Sequence, residues 1–377
     1  MADIKVLMMG GRRTGKSSIL ASMIYQFSKN TELTQRYIRM TPTDENKTAE
    51  AQEKKLGKLI FETEHQLAGS HYLVDFSADD SFDSYIFKDR IPKPNSSSTY
   101  ARSIDIEFVD CPGEVFDNGA EKGKVEELKM HIATSKVFMI VIDTPYLMDP
   151  KSDHGEFNKV NKIERIKEYL QDNNHFESEY DYKKVFFVPV KCEAWKDHLD
   201  EVVAKLCRDE YCGNLMELFN GDKRWSCSVL PVLTAGSLKF CEFTNPQILK
   251  STQEHCFRSG NTPFVRLGDG RQVMIPHGDL VIDNGEYLVH FNFYSWFTNT
   301  GEGFKPVNCD QIGLHLWRFI VFKVKTDKEQ DGWLGNLFDG LPKIKQLKEM
   351  LDNMKKDNIL KDEGMGIKHL YCPEKNI

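Results

Sequence analysis

Apolar residues in the first two-thirds of the chain form short runs, and between the runs they recur at helical spacing. Six runs have the length of β-strands, and four of these are almost continuously apolar, as expected of strands covered on both faces. The predicted strands are IKVLMM (4–9), SYIFKDRI (84–91), SIDIEFVD (103–110), KVFMIVID (136–143), KVFFVPV (184–190) and SVLPVLT (228–234). This alternation predicts an α/β fold in which a mostly parallel, six-stranded sheet lies between two layers of helices.

The helical segments each place apolar residues on one side. We predict helices near 125–132, over about 157–170, over roughly 197–219 and over about 309–323. A last helix is predicted at 343–360, where a narrow apolar stripe runs through a highly charged segment. The sequence therefore predicts one domain over 1–325, followed by a charged helical C-terminal tail over 326–377.

Two insertions interrupt the strand–helix order. Residues 31–83 are too many for a plain loop, and 44–68 has the pattern of a helix that Thr43 can cap. Residues 240–303 contain two tight-turn dipeptides, Asp269–Gly270 and Asn284–Gly285, between β-type segments. We predict a helical first insertion and a β-hairpin second insertion.

Composition narrows the class of protein. The chain has 377 residues and a net charge of −7, which argues against nucleic acid as the main partner. Nine cysteines, none in a CxxC pair, with no export signal, indicate reduced thiols and a cytoplasmic protein. No run approaches the roughly 18 apolar residues of a membrane span, so no span is expected.

The segment GGRRTGKSS (10–18) matches the phosphate-binding pattern G-x-x-x-x-G-K-S. An apolar strand precedes it and a helical pattern follows it, which is the context this loop requires. Glycines allow backbone N–H groups to converge on a phosphate, a lysine reaches the β and γ phosphates, and a serine hydroxyl holds Mg²⁺. The residues predicted to bind nucleotide here are Gly10, Arg12, Arg13, Thr14, Gly15, Lys16, Ser17 and Ser18.

A second phosphate-site element follows the strand SIDIEFVD. Asp110 ends that strand, so its carboxylate can complete the Mg²⁺ shell with Ser17, and Gly113 can offer its N–H to a γ-phosphate. An ordinary D-x-P-G turn has the same residues. The phosphate loop upstream favours the functional interpretation.

With these motifs in this order, the chain resembles P-loop GTPases of the TRAFAC class. The resemblance covers about 3–240 and the helix near 309–323. More narrowly, DCPGEVF and FKPVNCDQIGLHLWRF (304–319) resemble bacterial "double-GTPase"-type proteins. The resemblance implies a three-layer P-loop fold that binds Mg²⁺ and GTP or GDP. It implies a slow GTPase or molecular switch that acts on a protein partner through its switch regions or insertions.

Base recognition departs from the family pattern [N/T]-K-x-D. Here the fifth predicted strand leads into Val190, Lys191, Cys192 and Glu193. In the resemblance, Lys191 lies over the base, Glu193 accepts hydrogen bonds from guanine, and Thr234–Ala235 matches the loop that contacts the base oxygen. Valine supplies no polar contact, so ATP remains an alternative to GTP.

Hydrolysis is a separate question from binding. Glu114 stands where Ras-like proteins carry a water-orienting glutamine, and Arg12 or Arg13 can offset its charge. We expect Lys16, Glu114 and Arg13 to be the catalytic residues. The switch threonine is not identifiable. The region before the strand at 84–91 offers Ser77 and Ser81 but no threonine, Thr41 and Thr43 lie farther back, and Thr99 falls in the hairpin after the strand. A module that holds nucleotide without turnover therefore also remains open.

Overall fold

The fold was obtained as a computed structural model. It describes residues 4–12, 14–29, 39–42, 81–92, 100–150, 152–179, 181–236, 238–243, 249–251, 256–259, 262–266, 272–274, 280–283, 286–289, 295–299, 304–329 and 344–376. The predicted helix at 44–68 lies outside these residues.

Strands and helices alternate through the first part of the described chain, as the sequence predicts. The strands are β1 (Ile4–Met9), β2 (Arg39–Pro42), β3 (Asp83–Pro92), β4 (Tyr100–Asp110), β5 (Val137–Asp143), β6 (Lys183–Val190), β7 (Trp225–Val229), β8 (Leu238–Phe243), β9 (Leu249–Ser251), β10 (Cys256–Ser259), β11 (Thr262–Arg266), β12 (Gln272–Met274), β13 (Leu280–Asp283), β14 (Glu286–Val289), β15 (Ser295–Asn299) and β16 (Lys368–Tyr371). The α-helices are α1 (Lys16–Lys29), α2 (Lys122–Thr134), α3 (Thr144–Met148), α4 (His154–Asn161), α5 (Ile163–Asn173), α6 (Leu199–Leu206), α7 (Asn214–Asn220), α8 (Cys309–Glu329) and α9 (Ile344–Lys356). Most of these helices pack against the main sheet.

The main sheet has the strand order β16-β7-β6-β5-β1-β4-β3-β2. The five strands from β7 to β4 in that order are parallel, whereas β3, β2 and β16 are antiparallel to their neighbours. The predicted α/β fold with a mostly parallel sheet is therefore confirmed. The predicted count of six strands was short by the two edge strands, β2 and β16.

Two buried clusters sandwich the sheet. Along β1, Val6 and Met8 belong to one cluster, whereas Leu7 and Met9 belong to the other, because successive side chains of a strand point to opposite faces. Helices α1, α8 and α9 pack in the first cluster, and α2 and α4 to α7 pack in the second. This layering leaves the carboxyl ends of the parallel strands to build a site.

Several predicted boundaries were wrong. The sixth strand was predicted at 228–234 but forms at Trp225–Val229; Pro231, which lacks an N–H, lies in the part that is not a strand. The helix predicted over about 157–170 is divided into α4 and α5 at Lys162, whose φ is 58°. The helix predicted over roughly 197–219 is likewise α6 and α7, joined by a π-helical turn.

The second insertion contains antiparallel strand pairs. β11 pairs with β10 and β12, and β14 pairs with β13 and β9. The strands that flank Asp269–Gly270 and Asn284–Gly285 are thus hairpin partners, while the turn residues lie outside the described chain. β15 pairs with β8 at the two ends of the insertion.

The C-terminal segment contributes both a helix to the core and a strand to the main sheet, whereas the sequence predicts only a helix. The apolar stripe of α9 is buried in the core at Leu347, Leu351 and Met354. Farther on, β16 joins the edge of the main sheet by pairing with β7. Among the described residues, no helix combines the length and hydropathy that crossing a membrane requires.

Candidate nucleotide-binding site

The phosphate loop joins β1 to α1, as its sequence context predicts. Lys16 begins α1 and is only 8% exposed. Its Nζ donates hydrogen bonds to the carbonyl oxygens of Gly10 (3.2 Å) and Gly11 (3.1 Å), and the Thr14 hydroxyl donates to Gly11 O (3.1 Å). The loop is thus curled around the lysine amine, which is the group expected to meet phosphate.

Glycine is required at Gly15 by backbone conformation. Its φ is 99°, in the region that residues with a side chain rarely adopt. A Cβ built there would meet only Val190 Cγ2, at 3.7 Å. The phosphate loop therefore approaches the end of β6, where base recognition is expected.

Ser17, in the first turn of α1, contacts Asp110 at the end of β4. The Ser17 hydroxyl donates to Asp110 Oδ2 at 2.5 Å. The parallel register pairs Met8 with Asp110, so the phosphate loop begins beside the end of β4. A hydroxyl and a carboxylate are hard oxygen donors of the type that Mg²⁺ prefers. The donor set therefore fits the ion that the sequence predicts.

Gly113 lies directly against the phosphate loop. A Cβ built on it would lie 2.3 Å from Arg12 N and 2.5 Å from Gly11 C. No side chain fits in that space, so glycine is required by close approach of two backbones. The D-x-x-G segment therefore packs directly against the phosphate loop.

Glu114 lies between two cations. Its Oε2 is 3.4 Å from Arg12 Nε, and its Oε1 is 3.3 Å from Lys124 Nζ. The Glu114 side chain is 17% exposed and the Arg12 side chain 57% exposed. Arg12 is thus close enough to offset the charge of Glu114, and its role as a counter-ion stays a prediction. Lys124, in the first turn of α2, was not anticipated, because no motif marks it.

Lys191 and Asp143 form an ion pair in the region where the sequence predicts that the nucleotide base binds. We call this region the base end. Lys191 Nζ lies 2.6 Å from Asp143 Oδ2, and Lys191 has a φ of 58°. Burial raises the pKa of Asp143, and the charge of Lys191 and its hydrogen bond oppose that rise. Asp143 was missed by sequence reasoning, although it ends an apolar parallel strand as Asp110 does.

Glu193 connects the two loops of the base end. Its Oε1 accepts hydrogen bonds from the backbone N–H groups of Ala235 (2.9 Å) and Gly236 (3.0 Å). Its Oε2 is buried and has no hydrogen-bonding partner among the described residues. Burial raises the pKa of Glu193, and the two backbone N–H groups partly offset this. A buried carboxylate oxygen in this position is a ready acceptor for a ligand donor.

The remaining predicted residues fall into three groups. Thr234 belongs to the base end, because its Oγ1 lies 3.5 Å from Lys191 N and its carbonyl accepts from the Ser22 hydroxyl at 2.6 Å. Ser18 follows Ser17 in α1, and its contact with nucleotide stays a prediction. Arg13, Ser77, Thr43 and Thr99 lie outside the described residues.

Comparison with known proteins finds distant similarity to solved structures. No protein-family model matches the chain, and no curated protein matches it. Among solved structures, a chain of the signal recognition particle receptor SRb-GTP/SRX complex from Chaetomium thermophilum is 12% identical with a TM-score of 0.33, covering 61% of this chain and 90% of that chain.

Two further solved structures are similar over 61% of this chain. The S. cerevisiae Ski7 GTPase-like domain, bound to GDP and inorganic phosphate, is 15% identical with a TM-score of 0.29 over 43% of its length. The cytosolic domain of L. pneumophila FeoB is 11% identical with a TM-score of 0.24 over 62% of its length. At such identities and TM-scores, the similarities say nothing about activity.

Proposed function

We propose that the protein is a Mg²⁺-dependent guanine-nucleotide-binding protein that acts as a slow GTPase or molecular switch on a partner protein. The observation that best supports this proposal is the contact between Ser17 and Asp110 beside the buried Lys16. Residues 93 positions apart bring together a hydroxyl, a carboxylate and an amine. A triphosphate with Mg²⁺ needs these three groups at one place.

In the proposed complex, each group of the phosphate loop has a defined task. Lys16 exchanges its present acceptors, the carbonyls of Gly10 and Gly11, for phosphate oxygens. Ser17 and Asp110 would hold Mg²⁺, which neutralises phosphate charge when it is bound. Gly113 lies close enough to the loop for its segment to shift when phosphate enters or leaves. Such a shift is the basis of a switch that a partner protein can recognise.

Glu114 is the proposed group for water activation. A carboxylate there can orient a water molecule or accept its proton, but its own negative charge opposes that which develops on phosphate. Arg12 and Lys124 lie on either side and offset that charge. The neutral glutamine of Ras-like proteins does not repel the negative charge that develops on phosphate, whereas Glu114 does. We therefore propose that hydrolysis by this protein is slow.

Glu193 supports guanine over adenine. Guanine presents two adjacent donors, N1–H and the exocyclic amine, toward an acceptor such as the buried Oε2 of Glu193. Adenine presents one amine beside an acceptor nitrogen, which a carboxylate repels. The second candidate, an ATP-binding module, is favoured by Val190, which is buried where the family pattern has a polar residue.

Titration calorimetry with nucleotide tests the proposal. A non-hydrolysable GTP analogue with Mg²⁺ should bind the wild type, and Lys16→Ala should weaken binding by roughly 100-fold or more, since a buried charged contact to phosphate is lost. Lys29→Ala, which removes an exposed lysine at the other end of α1, is the matched control and should bind as the wild type does.

Two outcomes would contradict the proposal. Equal affinity of Lys16→Ala and wild type would remove Lys16 from the site. Stronger binding of the matching ATP analogue, measured under the same conditions, would replace guanine by adenine as the preferred base.

A further inference from the structure

Three potential metal ligands meet where the C-terminal segment packs against α8. They are His315 on α8, Asp362 between α9 and β16, and His369 on β16; one ligand atom from each lies within 4.8 Å of the other two. None of the three belongs to the nucleotide site described above. We refer to them as the His–Asp–His cluster.

The two imidazoles are held by oxygen atoms. His315 Nε2 lies 3.0 Å from the carbonyl oxygen of Lys361, and His369 Nδ1 lies 2.8 Å from the Ser228 hydroxyl. With those nitrogens protonated and donating, the lone pairs belong to His315 Nδ1 and His369 Nε2. Metal-ligating histidines are typically oriented in this way, by donating their other N–H to a carbonyl or a similar acceptor.

His315 Nδ1 is the decisive atom. The residue is 0% exposed, and Nδ1 has no hydrogen-bonding partner among the described residues. Leaving a buried polar atom unsatisfied is costly, so such an atom calls for a ligand. His369 is also buried, with its side chain 3% exposed and its Nε2 3.9 Å from Asp362 Oδ1. The cluster is thus built into the interior, unlike a chance grouping of surface residues.

Solvent access to the His–Asp–His cluster and the charges around it determine how strongly it could bind a cation. The Asp362 side chain is 31% exposed and offers a route from solvent. Arg318 donates from Nη1 to Asp362 Oδ1, and Lys355 Nζ lies 3.7 Å from Asp362 Oδ2. Lys184, whose charge acts on His315, is buried and forms a neutral pair with Glu374. A cation must therefore share the carboxylate with Arg318, which makes binding weaker than in a site of thiolates.

We propose that the His–Asp–His cluster binds a transition-metal ion, with Zn²⁺ the best suited, and thereby fastens the C-terminal segment to α8. Two imidazoles and one carboxylate suit Zn²⁺, which requires three or four nitrogen, oxygen or sulfur ligands. The ligand atoms move closer on binding, since 4.8 Å exceeds the ligand separation around one zinc ion with bonds of about 2.1 Å. The exposed Asp362 is the group that can move.

Zinc titration calorimetry of the full-length protein tests this site. Under reducing conditions with excess Mg²⁺ and no nucleotide, the wild type should bind one equivalent of Zn²⁺. His369→Ala and Asp362→Asn should each lose at least tenfold in affinity. His198→Ala is the matched control, because it removes an exposed histidine that also faces a carboxylate, Glu201 at 3.0 Å, and it should leave the affinity unchanged.

Two further measurements separate loss of ligands from loss of fold. Zn²⁺ should raise the thermal midpoint of the wild type and not that of His369→Ala, with circular dichroism confirming that the variant folds. Co²⁺ in place of Zn²⁺ should give the wild type a visible absorption band. Absence of zinc binding or of that band in the wild type, or unchanged affinity in both cluster variants, would overturn the proposal.

Discussion

Charge around Glu114 decides what this residue does in the proposed reaction. Lys124 lies 3.3 Å from Glu114 Oε1 and is the less exposed of its two cationic neighbours. Lys124→Met should therefore leave nucleotide affinity unchanged but slow phosphate release in single-turnover experiments. We expect roughly a tenfold loss of rate, equivalent to about 1.4 kcal/mol in the barrier.

The control for Lys124 lies on the same helix. Lys129 pairs with Glu126 at the surface of α2, so Lys129→Met removes the same charge without touching Glu114. Equal rates for wild type and Lys124→Met, or equal slowing by both variants, would show that the contact with Glu114 has no part in turnover.

The raised pKa of Glu193 predicts that nucleotide affinity depends on pH. Burial raises the pKa of this carboxyl group, and donation by the backbone N–H groups of Ala235 and Gly236 only partly offsets the rise. Guanine donors require the ionised carboxylate, so GTP affinity should fall as pH decreases through the raised pKa. Fluorescent-nucleotide titrations between pH 5 and 8 would measure this.

Glu193→Gln provides the comparison. The amide has no charge to titrate, so the pH dependence should disappear, and guanine affinity should drop by about 10- to 100-fold because hydrogen bonds to a charged acceptor are lost. A variant that keeps both wild-type affinity and wild-type pH dependence would exclude Glu193 from base recognition.

In the candidate phosphate site, the loop residues were predictable because their spacing is local, whereas Asp110, 93 positions from Ser17, was predictable from its place at the end of a strand. Gly10 to Ser17 lie within one strand–loop–helix unit, and Asp110 ends an apolar strand. The partners of Glu193 were not predictable, since Ala235 is 42 residues away and only the folded sheet brings it near. Lys124 likewise becomes a neighbour of Glu114 only when α2 is placed against the sheet.

Strands whose sequences are continuous apolar runs were predicted well, and strands whose apolar pattern is interrupted by polar residues were predicted poorly. β5 and β6 are buried along their whole lengths, so their sequences are nearly unbroken apolar runs. β16 is a short, polar edge strand, and its pairing with β7 depends on tertiary contacts that a local pattern does not contain. The break between α4 and α5 is a single left-handed residue, Lys162, which apolar periodicity does not reveal.

Asp181 joins two strands and a helix. It precedes β6, lies 2.8 Å from Lys136, which precedes β5, and lies 3.9 Å from Lys323 on α8. Asp181 is 5% exposed, so Asp181→Asn removes a buried negative charge beside Lys136 and Lys323 and should lower the free energy of unfolding by about 3 kcal/mol at pH 7. Urea unfolding measures this loss, and Asp197→Asn, at an exposed position, is the control.

The same pair predicts an acid dependence. Burial alone would raise the pKa of Asp181, but the hydrogen bond and charge of Lys136 outweigh it and hold the pKa below its usual value. A lowered pKa stabilises the folded state above the unfolded value of about 3.9, and that stability is lost as pH falls below it. Asp181→Asn should therefore flatten the decline in stability below about pH 4. An unaltered acid limb in this variant would contradict the assignment.

In the whole molecule, the C-terminal segment joins the main sheet through β16 and also contacts the sheet through an ion pair. Lys184 on β6 is fully buried, and its partner Glu374, 190 residues later, is 1% exposed and also accepts a hydrogen bond from Ser226. Since a charge left alone in the interior is far costlier than none, Glu374→Gln should destabilise the protein by about 3 to 5 kcal/mol. The double variant Lys184→Met with Glu374→Leu removes both charges and should recover most of that loss in urea unfolding. Equal stability of Glu374→Gln and wild type, or no recovery in the double variant, would mean that the Lys184–Glu374 ion pair does not help to hold the C-terminal segment to the sheet.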